Sequence, residues 1–241
     1  MKIEIWSDFV CPFCYIGKRR LEMALDKFEH KDEVEITFRS FELDPSAEKK
    51  YDENIHQLIA KKYGIPVEQA KASNDQLIAQ AKTLGLEYNF DTLIPTNTFD
   101  AHRLSHYGKA EGKMNELSER ILKAYFTDSL DLSDHQVLSK LAGEVGLDSE
   151  KALEILSTDK YALEVREDEE RASALRISGV PFFVFNNKYA VSGAQSSDLF
   201  LDVLEKVRKE ELSSPVIEFL TKNLDQADSN ANICSDGKCE I

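Results

Sequence analysis

Asp8-Phe9-Val10-Cys11-Pro12-Phe13-Cys14-Tyr15-Ile16-Gly17 holds two cysteines separated by two residues, a spacing that lets one disulfide open and close. Its meaning depends on where Cys11 stands relative to a helix. Ile3, Ile5 and Trp6 mark a short strand, and Ser7, Asp8 and Phe9 follow it. Pro12 suits the first turn of a helix, where a missing N–H costs nothing. Beyond it Cys14, Leu21, Met23, Ala24, Leu25 and Phe28 form a helix-spaced apolar stripe, with Arg19 and Arg20 expected on the exposed side. Cys11 therefore falls at a helix N-terminus. Partial positive charge and free N–H groups there favour a thiolate, the nucleophile of thiol–disulfide exchange.

Val34 to Phe41 reads as a second strand, in which Val34, Ile36 and Phe38 alternate with Glu35, Thr37 and Arg39. Strand, Cys-x-x-Cys, helix, strand is the context that makes such a pair thioredoxin-like. In that arrangement Cys11 is expected to be exposed and attacking, and Cys14 shielded and resolving.

The chain has 241 residues, enough for a substantial core, with 42% hydrophobic and 31% charged residues. Its formal charge of −14 disfavours nucleic acid and anionic membrane as partners. No apolar stretch approaches the roughly 20 residues of a membrane span. Met1-Lys2-Ile3-Glu4 leads straight into a strand without the apolar segment of a secretory signal, so a cytoplasmic location is expected. Four cysteines, one pair near each end, are too few for a disulfide scaffold at this length.

From about Asp44 to Ser178 the pattern is helical. Pro66 starts a helix carrying Val67, Ala70, Leu77, Ala81 and Leu84 and ended by Gly85. Leu117 to Phe126 marks another, Ser133 is expected to cap a third, and Asp148 or Ser149 a fourth. Tyr161, Val165, Ala172 and Leu175 lie along a charged last helix. Val180 to Phe185 and Tyr189 to Val191, joined by Asn186-Asn187-Lys188, read as a hairpin, and Ser196 or Ser197 caps the helix after it. The fold expected is α/β: a thioredoxin fold with a large all-helical insertion between its β-α-β and β-β-α halves. Residues 1–43 and 179–212 form the thioredoxin-like domain, 44–178 the insertion, and 213–241 a helix and a flexible tail with Cys234 and Cys239.

Four segments carry a family resemblance: Asp8 to Gly17, Asn97-Thr98-Phe99-Asp100-Ala101-His102-Arg103, Gly179-Val180-Pro181-Phe182-Phe183, and Val191-Ser192-Gly193-Ala194-Gln195. Through them the chain resembles the DsbA-like family and, within it, the FrnE-type disulfide oxidoreductases. It is also similar to kappa-class glutathione transferases and hydroxychromene-carboxylate isomerases, which typically place serine where Cys11 stands. The resemblance implies a cis Pro181 beside the cysteines, with the Val180 backbone pairing with substrate. Pro12 and Phe13 flank the site. Asn97 and His102 would face it from an insertion helix, although for His102, and more so for Arg103, holding the insertion onto the thioredoxin domain is the preferred reading. Ser197 and Asp198 open the last helix; simple capping is preferred there, with capture of glutathione as the alternative.

The implied function is thiol–disulfide oxidoreductase or isomerase, acting on protein or small-molecule disulfides and thiols as a monomer or homodimer. No cofactor is required, glutathione is a candidate co-substrate, and no metal site is assigned. For Cys234 and Cys239 a redox relay with the first pair is preferred over an idle pair or a zinc site shared with Cys11 and Cys14. The alternatives for the whole chain are a glutathione-dependent transferase or isomerase and a redox- or zinc-responsive binding protein.

Overall fold

The structure is a computed structural model that describes residues 1–213; the expected helix at 215–224 and the tail cysteines lie outside the described residues. Its elements run β1 (Lys2–Ser7), α1 (Pro12–Lys27), β2 (Glu35–Ser40), α2 (Ile55–Tyr63), α3 (Val67–Lys82), α4 (Phe99–Ala110), α5 (Met114–Phe126), α6 (His135–Glu144), α7 (Ser149–Leu156), α8 (Ala162–Ala174), β3 (Phe182–Phe185), β4 (Tyr189–Ser192) and α9 (Ser197–Ser213). The four strands form one sheet in the order β2-β1-β3-β4. β1 and β2 are parallel, with Ile3 opposite Ile36 and Ile5 opposite Phe38. β3 runs antiparallel to β1 and to β4. This is the thioredoxin fold, with seven helices between its second and third strands.

Period-two alternation sorts the strand residues onto two faces. Ile3, Ile5, Phe183 and Phe185 meet Leu21 and Ala24 of α1, Phe28 just past it, and Phe200, Leu204 and Val207 of α9. Trp6 and Val184 point the other way, towards Ala172 and Ile177. The Trp6 indole N–H donates to the Asp168 carbonyl at 3.0 Å, which docks α8. Charges close that face: Arg39 joins Glu4 at 2.6 Å and Asp168 at 2.8 Å, and Arg171 joins Glu4 at 2.7 Å. The hairpin turns through Asn186-Asn187-Lys188, with Asn186 and Asn187 at positive φ (49° and 54°) and the Lys188 N–H donating to the Phe185 carbonyl at 2.9 Å.

The helical segment has its own core, built from Leu104, Leu117, Ile121, Phe126, Leu138 and Leu141, and it takes in Phe9, Tyr15 and Ile16 from the start of the chain. Arg103 ties this segment together. It is 3% exposed and donates to the carbonyls of Ile155, Thr158 and Lys160 and to the Asp100 carboxylate. All four partners lie between residues 100 and 160, so Arg103 joins insertion helices to one another. That corrects the expectation that it fastens them to the sheet.

Several local expectations also change. Asp134, not Ser133, caps α6, its carboxylate accepting the Gln136 N–H. Ser133 is drawn instead to the Lys49 carbonyl and Asp131. Asp148 caps α7, and Ser196 accepts the Leu199 N–H at the start of α9. Leu175 lies just past α8 and is 46% exposed. α2 begins with a capping box between Asn54 and Gln57, a signal present in the sequence but not used above. Arg19 and Arg20 are half-buried: Arg19 pairs with Glu22 and Glu119, and Arg20 donates to the Ala194 carbonyl. Among the described residues no helix is long and apolar enough to cross a membrane.

Arg103→Ala would remove the donor shared by the buried Ile155 carbonyl, the Thr158 and Lys160 carbonyls and the Asp100 carboxylate, which keeps Lys49 and His135. An equilibrium urea titration is expected to show a loss of about 3–5 kcal/mol, with Arg103→Lys recovering little of it. A second expectation concerns acid. Burial alone would raise the Asp168 carboxyl, but His106, the Ser40 N–H and Arg39 outweigh it and hold the group below the usual carboxylate range. The folded state thus binds this proton more weakly than the unfolded chain. The contribution should be complete above about pH 4 and lost as pH falls further, and Asp168→Asn should flatten that limb of a stability–pH curve.

Candidate active site

β1 ends at Ser7, and four residues later Cys11 becomes the N-cap of α1, in extended conformation (φ −89°, ψ 111°) with Pro12 in the first turn. The Cys11 N–H donates to the Asp8 carbonyl at 3.1 Å, and the Cys14 N–H to the Cys11 carbonyl at 3.0 Å. No side chain caps α1 and no acidic residue lies in its first turn. The positive end of the helix is therefore not neutralised and is available to a thiolate.

Chain remote in sequence completes the site. The Val180–Pro181 bond is cis, and the Cys11 Sγ donates to the Val180 carbonyl at 3.6 Å. Gly17 makes this approach feasible, because a Cβ there would lie 2.9 Å from Pro181 Cγ and 3.1 Å from Phe183 Cζ. The Gly193 N–H donates to the Pro181 carbonyl at 2.8 Å, so the fourth resembling segment supports the third.

Cys11 is only 4% exposed, against the expectation of an open sulfur, because it is turned towards Val180. The exposed part of the motif is Phe13, at 44%. Cys14 is buried, and both cysteines are free thiols. Burial pushes the Cys14 thiol well up, the adjacent Cys11 sulfur adds to this, and hydrogen bonds from Ser7 and the Asp8 N–H only partly offset it. The two sulfurs are thereby distinguished by environment: Cys11 stands at a helix start, and Cys14 is buried and held as a thiol.

The remaining expected residues are distributed unevenly. Asn97 donates to the Ala47 carbonyl and accepts the Phe99 N–H; these bonds shape the start of α4 and do not reach the cysteines. His102 is 2% exposed, with its ring 4.8 Å from that of Phe9 and its Nε2 3.4 Å from the Asp8 carboxylate. His102 thus packs α4 against the loop before Cys11, while its Nε2 makes no hydrogen bond among the described residues. Ser197 opens α9, and Asp198 faces Lys27 at 3.5 Å. Ala194, three residues before Ser197, lies against Gly17 of α1, and its carbonyl accepts from Arg20.

Other participants had no sequence signal. The Tyr88 hydroxyl donates to the Pro12 carbonyl at 2.8 Å across 76 residues of chain. Tyr15 donates to Glu119 at 2.6 Å, and Glu119 also holds Lys18 and Arg19, which fixes α1 to α5. Asp8 was visible within the first motif, and its carboxylate accepts the Leu43 N–H at 2.7 Å. Ser40, His106 and Asp168 resemble a nucleophilic triad in composition only. One nitrogen, His106 Nε2, faces both Ser40 and Asp168 at 3.2 Å, so the imidazole cannot relay between them. Among the described residues no group of His, Cys, Asp or Glu is arranged to hold a metal ion.

Gly17→Ala should force α1 away from Pro181. Thermal unfolding is expected to show a loss of about 1–3 kcal/mol, and alkylation of Cys11 should accelerate as its contact with Val180 loosens.

Comparisons with known proteins agree with this fold. A family model described as DSBA-like thioredoxin domain matches residues 2–205. The solved structure of a probable DsbA oxidoreductase from Streptomyces coelicolor is 41% identical, with a TM-score of 0.85, over 90% of this chain and 92% of that one. YwbO of Bacillus subtilis, an uncharacterised protein, is 30% identical over 86% of this chain and 97% of its own length. The cytosolic disulfide reductase DsbM from Pseudomonas aeruginosa, solved also with GSH, shares the fold at a TM-score of 0.62 but only 13–14% identity, over 87% of this chain and all of its own. The chain belongs to the family of DsbA-like thioredoxin-domain proteins.

Proposed function

We propose that this protein is a thiol–disulfide oxidoreductase working through Cys11 and Cys14. The observation that carries the reading is Cys11 at the uncapped start of α1, its sulfur 3.6 Å from the Val180 carbonyl beside cis Pro181. A Cys11 thiolate attacks one sulfur of a substrate disulfide, forms a mixed disulfide and expels the other sulfur as a thiolate. The Cys14 sulfur then attacks Cys11, closes the Cys11–Cys14 bond and releases the second substrate thiolate. The substrate gains two electrons and the dithiol loses two. The Val180 backbone, exposed in part beside Cys11, offers a pairing edge to an extended substrate chain.

Substrates are protein or small-molecule disulfides, and a reducing cytosol favours the reductase or isomerase direction. Glutathione enters as the thiol that regenerates the pair, two molecules giving one glutathione disulfide; a relative of the same fold solved with GSH supports including it. Ser197 and Asp198 at the start of α9 remain the candidate glutathione contacts, with Ala194 just before them lying against Gly17 of α1. Cys234 and Cys239 enter as a second dithiol that exchanges with the first, in the manner of the FrnE-type proteins the sequence resembles.

Cys11→Ser is expected to abolish reduction of insulin disulfides by the full chain. Cys14→Ser should accumulate a mixed disulfide at Cys11, detectable by intact mass. Full insulin reduction by Cys11→Ser would overturn the proposal. The Cys11–Cys14 reduction potential, measured with and without Cys234→Ser and Cys239→Ser, tests the relay: an unchanged potential and unchanged turnover would exclude it.

A further inference from the structure

The resolving step requires Cys14 to lose a proton where water does not reach it, since Cys14 is 2% exposed. The Asp8 N–H donates to its sulfur at 3.5 Å, and the neighbouring Ser7 side chain favours its thiolate form. Behind Ser7 lies a cavity of about 10 Å³, close to the space one water molecule needs, lined by Ser7, Phe9, Ser40, His102, Ser105 and Ser118. Two polar atoms on residues of this lining, His102 Nε2 and Ser118 Oγ, are buried and have no hydrogen-bond partner. His102 Nε2 lies 3.4 Å from Asp8 Oδ1 without hydrogen-bond alignment. Buried polar atoms are rarely left unpaired, and each such case calls for a ligand or a role.

We propose that Ser7, one water in this cavity and His102 form the path by which Cys14 is deprotonated, with Asp8 holding the charge that forms. This rests on the dithiol reading above. The Cys14 thiol proton passes to Ser7 Oγ as the Ser7 hydroxyl proton moves through the water to His102 Nε2. Cys14 becomes a thiolate, and His102 an imidazolium facing the Asp8 carboxylate. The thiolate attacks the Cys11 sulfur, the Cys11–Cys14 bond forms, the bond from Cys11 to substrate breaks, and substrate leaves as a thiolate. The proton remains on His102 until solvent removes it.

The surroundings of His102 suit a group that gains positive charge. Asp8 faces it from the loop after β1, and Glu42 interacts with it from the segment after β2. Glu42 is held at 2.6 Å by Arg166 of α8, which also binds Glu169. Arg39 lines the same cavity and opposes the charge, but it is already paired with Glu4 and Asp168. Tyr125 of α5, buried near Asp8, is pushed up by burial and by that carboxylate, so it stays neutral.

The experiment follows both steps with 5,5′-dithiobis(2-nitrobenzoate) in stopped flow, on the full chain carrying Cys234→Ser and Cys239→Ser. Attack by Cys11 releases one coloured thiolate and resolution by Cys14 releases another. In His102→Gln and Ser7→Ala the ratio of second-step to first-step rate is expected to fall about 100-fold at neutral pH. The second step should then rise about tenfold per pH unit as hydroxide takes over the proton, against a shallower slope in the parent chain. Parent-like ratios and slopes in the folded variants would overturn the proposal. Should both variants misfold by circular dichroism, the parent chain decides: a solvent isotope effect on the second step with a curved proton inventory is expected, and no isotope effect would overturn the path. Equally fast release of the second thiolate by Cys14→Ser would instead refute the dithiol reading itself.

Discussion

The close approach of α1 to Pro181 is the contact on which the rest of the site depends. Only hydrogen at Gly17 lets the helix lie against Pro181 and Phe183. That contact sets the Cys11 sulfur against the Val180 carbonyl, 169 residues away in sequence. It also orders the layers: α1 and α9 share one face of the sheet through Leu21, Ala24, Phe200 and Leu204, while α8 docks on the other through Trp6. A thioredoxin fold makes this arrangement possible, and a glycine at one position makes it close enough for chemistry.

The helical segment is more than an addition to that fold. Its core continues into Phe9, Tyr15 and Ile16, so the residues flanking the cysteines are packed by helices from the middle of the chain. Tyr88 holds the Pro12 carbonyl, and Glu119 gathers Tyr15, Lys18 and Arg19. Each of these restrains the first turns of α1, the part that must keep its amides aimed at Cys11. Arg103 works at longer range by binding the carbonyls that end α7 and precede α8.

The two sulfurs differ because their surroundings differ. Cys11 has a helix end with nothing neutralising it, while Cys14 has burial, a neighbouring sulfur and two weak donors. The same burial holds Cys14 as a thiol, so the dithiol exchange proposed above needs a route for its proton. The proposed path uses the small cavity, walled largely by apolar groups, whose lining residues His102 and Ser118 each carry an unpaired polar atom.

Local order dictates what was legible in advance. Period-two and helical patterns, Pro12 after Cys11 and the Asn186-Asn187 turn act over a few residues, so the strands, α1, the hairpin and the cysteine pair could be read from the chain directly. Capping was read less well: Ser133 and Asp134 are both competent caps, and Ser133 was drawn off by Lys49 and Asp131. Burial of Cys11, the Tyr88 bond to Pro12, the inward bonding of Arg103 and the facing of Asp198 to Lys27 are contacts between distant segments. The sequence by itself determined which elements form and which residues can do thiol chemistry, because those depend on neighbours along the chain. The tertiary structure alone decided that both sulfurs are buried and what each of them faces, because desolvation and hydrogen bonding depend on neighbours in space.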